Sequence, residues 1–382
     1  MGIKLLTFAL LLAGSVASVG GASLSRRHGT CAFWASRIVS AGGEHEHEKQ
    51  TSTGPGRDRR RALYTAAALR GGGERNVKAK AAALPSKPTT VKGMLTATRP
   101  WSWTAGVIPV LLTGALLHRM EGVAMEKAGL GNALIMVITL QASGNLVNSY
   151  IDHNYGVDTV ETAGDRTIVD AHVSPRGALV LAGLMLFAAV AAVAPTAARL
   201  RSNGTDAARE LQATFWVGVG MVYSYTCWPF RLKYRGLGDI TVFLLFGPML
   251  MQVAALLICG RSQHWVLPFG VPAALLCEAI LHANNMRDIE QDRSAGISTL
   301  ASTIGFRASQ VLYFCLLGLA YVVAGGLAAV RYKGSALAFL TLPLAISALK
   351  DCRPDTIRDL DEKTAKLHLL FGVLMTVGTL YF

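Results

Sequence analysis

From Arg99 to the C-terminus, apolar residues come in nine blocks separated by short polar stretches, near 100–118, 132–151, 176–195, 211–228, 239–259, 265–284, 308–330, 334–349 and 364–382. Long apolar runs of this kind are the pattern of membrane-spanning helices, each needing roughly 20 residues to cross the hydrocarbon layer. Several blocks are shorter or more polar than a lone span prefers, which a helical bundle tolerates. Asn145, Asn148, Asp152, Glu278 and Asn284 sit within or at the ends of these blocks. They are too polar to face lipid, so the pattern predicts that they face a protein interior or a cavity. The expected fold is all-α and integral to the membrane, with nine transmembrane helices over residues 96–382.

The first 95 residues read differently. Lys4 followed by the apolar run Leu5 to Leu12 and then small residues predicts a signal peptide over 1–22, with an uncleaved anchor as the alternative. Residues 23–95 are Arg-, Gly-, Ser- and Ala-rich without lasting apolar periodicity. Such a stretch buries too little surface to offset its ordering entropy, so it is expected to be disordered. Basic, acid-poor composition behind a signal peptide resembles bipartite plastid targeting, and a plastid membrane is the expected address. An uncleaved cytosolic tail, with an ER, Golgi or mitochondrial membrane as the address, is the alternative.

Composition agrees with a membrane protein. Hydrophobic residues make up 52% of the 382 and charged residues 16%, against roughly a quarter charged in soluble domains. Mean hydropathy is +0.38. The formal net charge of +13 is concentrated in the N-terminal region and otherwise scattered at block ends. No basic patch interleaved with aromatics is present, which argues against nucleic acid. Six cysteines, at 31, 227, 259, 277, 315 and 352, show no C-x-x-C spacing, so neither a zinc site nor a disulfide framework is expected. Cations are more frequent in the loops after blocks 2, 4, 6 and 8 than in the odd loops, which places the even loops on the positive side.

Two of those even-side block ends carry candidate chemistry. The second ends in Asn145, Asn148 and Asp152, spaced by three and four residues and therefore on one helix face, followed by Asp158, Glu161, Asp165 and Arg166. The sixth ends in Asn284, Asp288 and Asp292, spaced by four. Carboxylates one turn apart repel on a bare helix. A hard cation removes the problem, and magnesium is usually held by one or two carboxylates plus substrate phosphates. Two such arrays on one side of a bundle suit a metal-bridged diphosphate. Arg166, Lys233, Arg287 and Arg293, all on even loops, can neutralise its oxygens, Arg by bidentate contact.

These stretches resemble the UbiA superfamily of intramembrane aromatic prenyltransferases. The resemblance rests on Arg99-Pro100-Trp101, Asn148-x-x-x-Asp152 with Asp158, Asp165-Arg166-Thr167, Lys233-Tyr234 with Gly238-Asp239, Phe246-Gly247-Pro248, and Asn284-Asn285-x-Arg287-Asp288-x-x-x-Asp292. It covers about 97–382 and is nearest to the vitamin K branch, through GNLVNSYID with GVD and through EAILHANNMRD. It implies a nine-helix bundle around a central cavity, Mg2+, and a polyprenyl diphosphate donor. It implies Asp152, Asp158, Asp288 and Asp292 as metal ligands. Asn148, Arg166, Lys233, Asn284 and Arg287 would bind diphosphate, with Asp152, Asp288 and Lys233 central to catalysis. The acceptor it implies is 1,4-dihydroxy-2-naphthoate or a related naphthoquinol, with homogentisate and 4-hydroxybenzoate as alternatives. Two departures stand out. Gly156 occupies the position four after Asp152, and Pro229 the position four before Lys233. The resemblance therefore leaves open whether Tyr225, Glu161 or Asp165 takes part. A transporter with the Asn/Asp arrays as an ion path is the competing class, disfavoured because the acids sit at helix ends on one side.

Overall fold

The computed structural model describes residues 91–122, 127–154, 168, 173–330 and 332–382. The expected signal peptide and nearly all of the expected targeting region lie outside the described residues, as do Asp158, Glu161, Asp165 and Arg166. Among the described residues, apart from one isolated bridge between Arg235 and Ser298, the regular elements are helical.

A short helix α1 (Val91–Ala97) straddles the expected boundary at 95 and 96, and a 3-10 turn (Pro100–Ser102) leads into α2 (Thr104–Glu121). Then come α3 (Lys127–Asn154), α4 (Pro175–Ser202), α5 (Ala207–Ser224) and α6 (Gly238–Leu244). A π-helical turn (Leu245–Met249) joins α6 to α7 (Leu250–Cys259). After α8 (Leu267–Arg287) the chain makes two short helices, α9 (Ile289–Ser294) and α10 (Leu300–Ile304), before α11 (Phe306–Val330). A 3-10 segment (Lys333–Thr341) continues into α12 (Leu342–Asp351), and α13 (Leu360–Tyr381) completes the bundle.

Each of the nine apolar blocks is thus helical. Seven of the resulting helices are long and apolar enough to cross a membrane, or eight if α1 with its 3-10 turn and α2, bent by 58°, form one span. α5 is not among them. It has 18 residues and spends its first turn on Arg209 and Glu210, which shortens its apolar stretch.

α8 is the axis. The window of its span is 78% buried, against 28% for α4, which lies at the rim. Its run from Phe269 to Ala279 is buried on every side, which suits a central place, and α8 packs on α2, α6, α11 and α13. With lipid as apolar as the side chains, helix association relies on close fit, and small residues permit it. A Cβ on Gly334 or Gly378 would overlap the other's carbonyl group. Gly247 serves differently: its φ of −108° and ψ of −107° break the helix between α6 and α7. A Cβ there would meet that of Ala274 on α8 at 2.8 Å. The bend puts Leu245, Phe246 and Met249 on the wall of the central cavity.

The two ends of the bundle collect different loops. At one, Arg261 pairs with Glu121, and the Gln263 amide and Trp265 indole also donate to Glu121. This joins the loops after the first and fifth blocks. At the other end gather the C-termini of α3 and α8, the loop after α5 and the start of α13, in keeping with the odd-even alternation.

Candidate active site

The cavity has a volume of about 1150 Å³, and its two halves differ in chemistry. Deep in the bundle its wall includes Met136, Val137, Phe215, Phe246, Met249 and Val253. Toward the even-loop end it is lined by Asn145, Asn148, Asp152, Lys233, Asn284, Arg287, Asp288 and Asp292. The residues from the two sequence arrays therefore share one chamber, although Asp152 and Asp288 are 136 positions apart in the chain.

The α3 array is built by helical spacing and fixed by the segment before α2. Gln141 donates to the Ser102 carbonyl at 2.7 Å, Asn145 to the Thr98 carbonyl at 3.2 Å, and Arg99 to the Ser149 hydroxyl at 3.2 Å. Asn148 and Asp152 remain for the cavity. Asp152 is 3% exposed. Its Oδ2 accepts from Lys233 Nζ at 2.7 Å, and its Oδ1 accepts a short hydrogen bond from the Tyr234 hydroxyl. Lys233 Nζ also reaches Asn148 Oδ1 at 3.4 Å. Burial and then the Asp152 charge raise the Tyr234 pKa, so this phenol stays a donor.

Lys233 is delivered by the loop after α5. Its backbone N–H donates to the Tyr225 carbonyl at 2.8 Å, and Arg231, in the left-handed region at φ 49°, turns the chain and stacks over the Tyr234 ring at 4.7 Å. Tyr225 itself lines the cavity, so its backbone holds the Lys233 loop while its side chain faces the chamber.

The second array straddles the break between α8 and α9. Arg287 grips both carboxylate oxygens of Asp288, at 2.8 and 3.0 Å. It also donates to Asn284 Oδ1 at 2.5 Å and to Asp361 Oδ2, on the first turn of α13, at 2.8 Å. Asp292 accepts from the Thr299 hydroxyl at 3.0 Å. Its pKa is pushed up to about 6, first by burial, with the Thr299 hydrogen bond and the Lys233 charge opposing and the Asp288 and Asp152 carboxylates adding to the rise. Asp292 thus sits in the combined field of both arrays, a place that favours a cation.

Sequence reasoning misses three partners: the Tyr234 hydroxyl on Asp152, Asp361 on Arg287, and Thr299 on Asp292. Tyr234 is adjacent to Lys233, and that adjacency is the signal that could have found it. Asp361 and Thr299 carry no local signal. Arg293 departs from expectation. It donates to the Ser302 carbonyl at 3.0 and 3.2 Å and to Glu290 at 3.1 Å, outside the cavity lining, because the turn at Ala295 and Gly296 brings residue 302 back onto α9.

An apolar chamber in a helical membrane bundle, with carboxylates, amides and cations at one end, defines a membrane-embedded enzyme for an anionic head on an apolar body. The sequence profile of the UbiA prenyltransferase family matches residues 106–373, and the chain belongs to that family. It is a prenyltransferase. It is 37% identical over 282 residues to UbiA prenyltransferase domain-containing protein 1 of Gallus gallus, covering 74% of this chain and 83% of that protein. The Homo sapiens protein of that name is 36% identical over the same length, covering 74% and 81%. The fold is shared with the apo structure of a UbiA homolog from Aeropyrum pernix K1, at a TM-score of 0.56 and 18% identity, covering 72% of this chain and 96% of that one. It is also shared with a UbiA homolog from Archaeoglobus fulgidus solved with GPP and Mg2+, at 0.51 and 13%, covering 75% and 99%.

Proposed function

We propose that this enzyme transfers a polyprenyl group from its diphosphate to 1,4-dihydroxy-2-naphthoate or a related naphthoquinol, with magnesium, in menaquinone or phylloquinone synthesis. The observation that carries the donor assignment is the convergence of Asp152, Lys233, Asp288 and Asp292 at one end of an apolar cavity. The vitamin K resemblance of the α3 and α8 arrays supports the naphthoate acceptor. In this reading α5 also crosses the membrane, completing nine spans around the chamber.

The donor set suits magnesium. Asp152, Asp288 and Asp292 offer hard oxygens at a cavity end roomy enough for phosphate oxygens and water. Asp158 would add a ligand from outside the described residues. Bound GPP and Mg2+ in the Archaeoglobus homolog support the same pairing here. Magnesium, when bound, offsets the charge that grows on the departing diphosphate.

The chain's own residues do the rest. Lys233 and Arg287, now held by Asp152 and Asp288, are free to turn onto phosphate oxygens once those carboxylates are otherwise occupied. Arg166 would join them. Asn148 and Asn284 orient the head group by hydrogen bonds. These charges favour the leaving diphosphate over the intact donor, which is where such catalysis gains most. The allylic C–O bond breaks, a ring carbon of the acceptor forms the new C–C bond, and carbon dioxide or a proton leaves the ring. The apolar wall around Phe215, Phe246 and Met249 keeps water from the electron-poor prenyl carbon.

Membranes containing the enzyme, given a panel of prenyl diphosphates and each of the three acceptors, test the assignment by product mass. Product from naphthoate alone is expected; product only from homogentisate or 4-hydroxybenzoate overturns the acceptor. The N-terminal composition supports a plastid membrane. A fluorescent fusion of residues 1–95 retained in the ER would argue against it.

A further inference from the structure

Behind the cavity wall, three titratable groups that the transfer reaction does not use meet in the bundle interior. Asp239 opens α6, while Glu278 and His282 lie one turn apart on α8. They are 6%, 5% and 0% exposed, and their potential ligand atoms all lie within 4.8 Å of one another. None of the three lines the cavity.

The imidazole decides what the cluster is built for. His282 Nε2 stands 3.2 Å from the Ser309 carbonyl on α11, a contact that only an N–H can make favourably. Neutral His282 therefore turns the Nδ1 lone pair to Asp239 Oδ1, 2.9 Å away. Lone pair against carboxylate is repulsive unless a proton or a metal cation sits between them. A proton shared by His282 and Asp239 satisfies that contact, but Glu278 Oε2, fully buried, still has no hydrogen-bond partner among the described residues. A divalent cation serves both carboxylates and Nδ1 together. Two carboxylates and a dication also sum to no net charge, which suits a membrane interior. The backbone carbonyl on the far nitrogen is the usual outer partner of a metal-bound histidine.

We propose that Asp239, Glu278 and His282 form a second, structural metal site, separate from the diphosphate end and selective for a zinc-class dication. Magnesium is disfavoured, since it retains several waters and prefers oxygen donors, whereas this pocket is closed and offers a nitrogen. Zinc accepts a mixed imidazole and carboxylate set with few ligands. The ion would clamp α6, which follows the Lys233 loop, to α8, which carries Asn284 and leads into Asp288. It would thus fix the spacing of the two halves of the active site.

The test uses the full-length protein in detergent, dialysed into magnesium buffer, with metals counted by mass spectrometry. About one zinc per chain is expected in the wild type and in D288N. Zinc content should fall on the order of tenfold in E278Q and in H282Q. A high-affinity zinc chelator should lower the wild-type unfolding temperature, and zinc but not magnesium should restore it. This second measurement decides the matter if a variant does not fold. Zinc absent from the wild type with no thermal response to added zinc overturns the site. So does zinc that persists in E278Q and H282Q, or zinc lost from D288N, which would assign it to the Asp-rich arrays.

Discussion

Lys233 reaches back across 81 residues to Asp152, placing its ammonium 2.7 Å from a carboxylate that is almost wholly buried. The pair joins the loop after α5 to the end of α3, so one contact fixes both the cation proposed for phosphate and the anion proposed for metal. Removing Lys233 leaves Asp152, among the described residues, with the Tyr234 hydroxyl as its side-chain partner. K233M should therefore destabilise the protein by about 2–3 kcal/mol. The double variant D152N/K233M should recover most of that loss while making no product. Thermal unfolding and turnover, measured together in detergent, separate the two effects. Near-normal turnover by K233M would refute its role in holding diphosphate.

The Tyr234 hydroxyl closes the other side of Asp152. Tyr234→Phe keeps the ring and its stacking with Arg231 and deletes one donor to a charged acceptor. That is worth about 1.5–3 kcal/mol at most, so kcat/KM should fall on the order of tenfold to a hundredfold. The loss should shrink at high magnesium if the hydroxyl acts by aligning the carboxylate. An unchanged magnesium dependence would count against alignment.

Asp288→Ala and Asp152→Ala should each abolish product while leaving the protein in the membrane. Dialysis into magnesium-free buffer should do the same to the wild type, reversibly with magnesium. In Asp292→Asn, half-maximal activity should need on the order of tenfold more magnesium, with the acceptor KM unchanged. Equal magnesium dependence in D292N and wild type would remove Asp292 from the metal set.

How far the site can be read from the chain follows from geometry. Asn145, Asn148 and Asp152 announce a shared face because helical spacing is local, and the same holds for Asn284, Asp288 and Asp292. That the two arrays meet is legible only through the count of apolar blocks, which puts both on even loops. Asp361 is invisible: it lies in an acidic turn that resembles any solvated loop, and only the packing of α13 on α8 gives it to Arg287. Arg293 misleads for the converse reason. It lies one residue past Asp292, but a tight turn sends its guanidinium to the Ser302 carbonyl. The apolar block of α5 reads as a span like the others, yet Arg209 and Glu210 lie inside the helix, so length and apolarity alone do not set it among the seven.

Gly334 and Gly378 test the packing independently of chemistry. Each backbone lies so close against the other that a Cβ added to either would overlap the facing carbonyl group. No rotamer relieves a clash with backbone. Gly378→Val should push α13 from the 3-10 segment Lys333–Thr341 and cost about 3 kcal/mol or more. Gly318→Val, where nothing lies within 4 Å of the added carbon, is the control and should be nearly neutral. Similar unfolding temperatures for the two variants would contradict this contact.

Asp361 offers the sharpest test of how the second array works. Arg287 is shared among Asn284, Asp288 and Asp361, so its guanidinium is held in place from three sides before any substrate arrives. If the arginine swings to phosphate on binding, Asp361 competes with the substrate for it and also keeps it aimed. Asp361→Asn weakens the grip without removing a cation or a proposed metal ligand. Competition alone predicts a lower KM for the prenyl diphosphate. Aiming predicts a lower kcat, because the arginine is then less well placed for the charge of the leaving group. Since Asp288 retains a two-point hold on Arg287, aiming should survive. The expected outcome is therefore a diphosphate KM reduced on the order of threefold with kcat within about twofold of wild type. Steady-state kinetics over a range of donor concentrations distinguishes these, and a fall in kcat with KM unchanged would make Asp361 a positioning residue for Arg287 instead of its competitor.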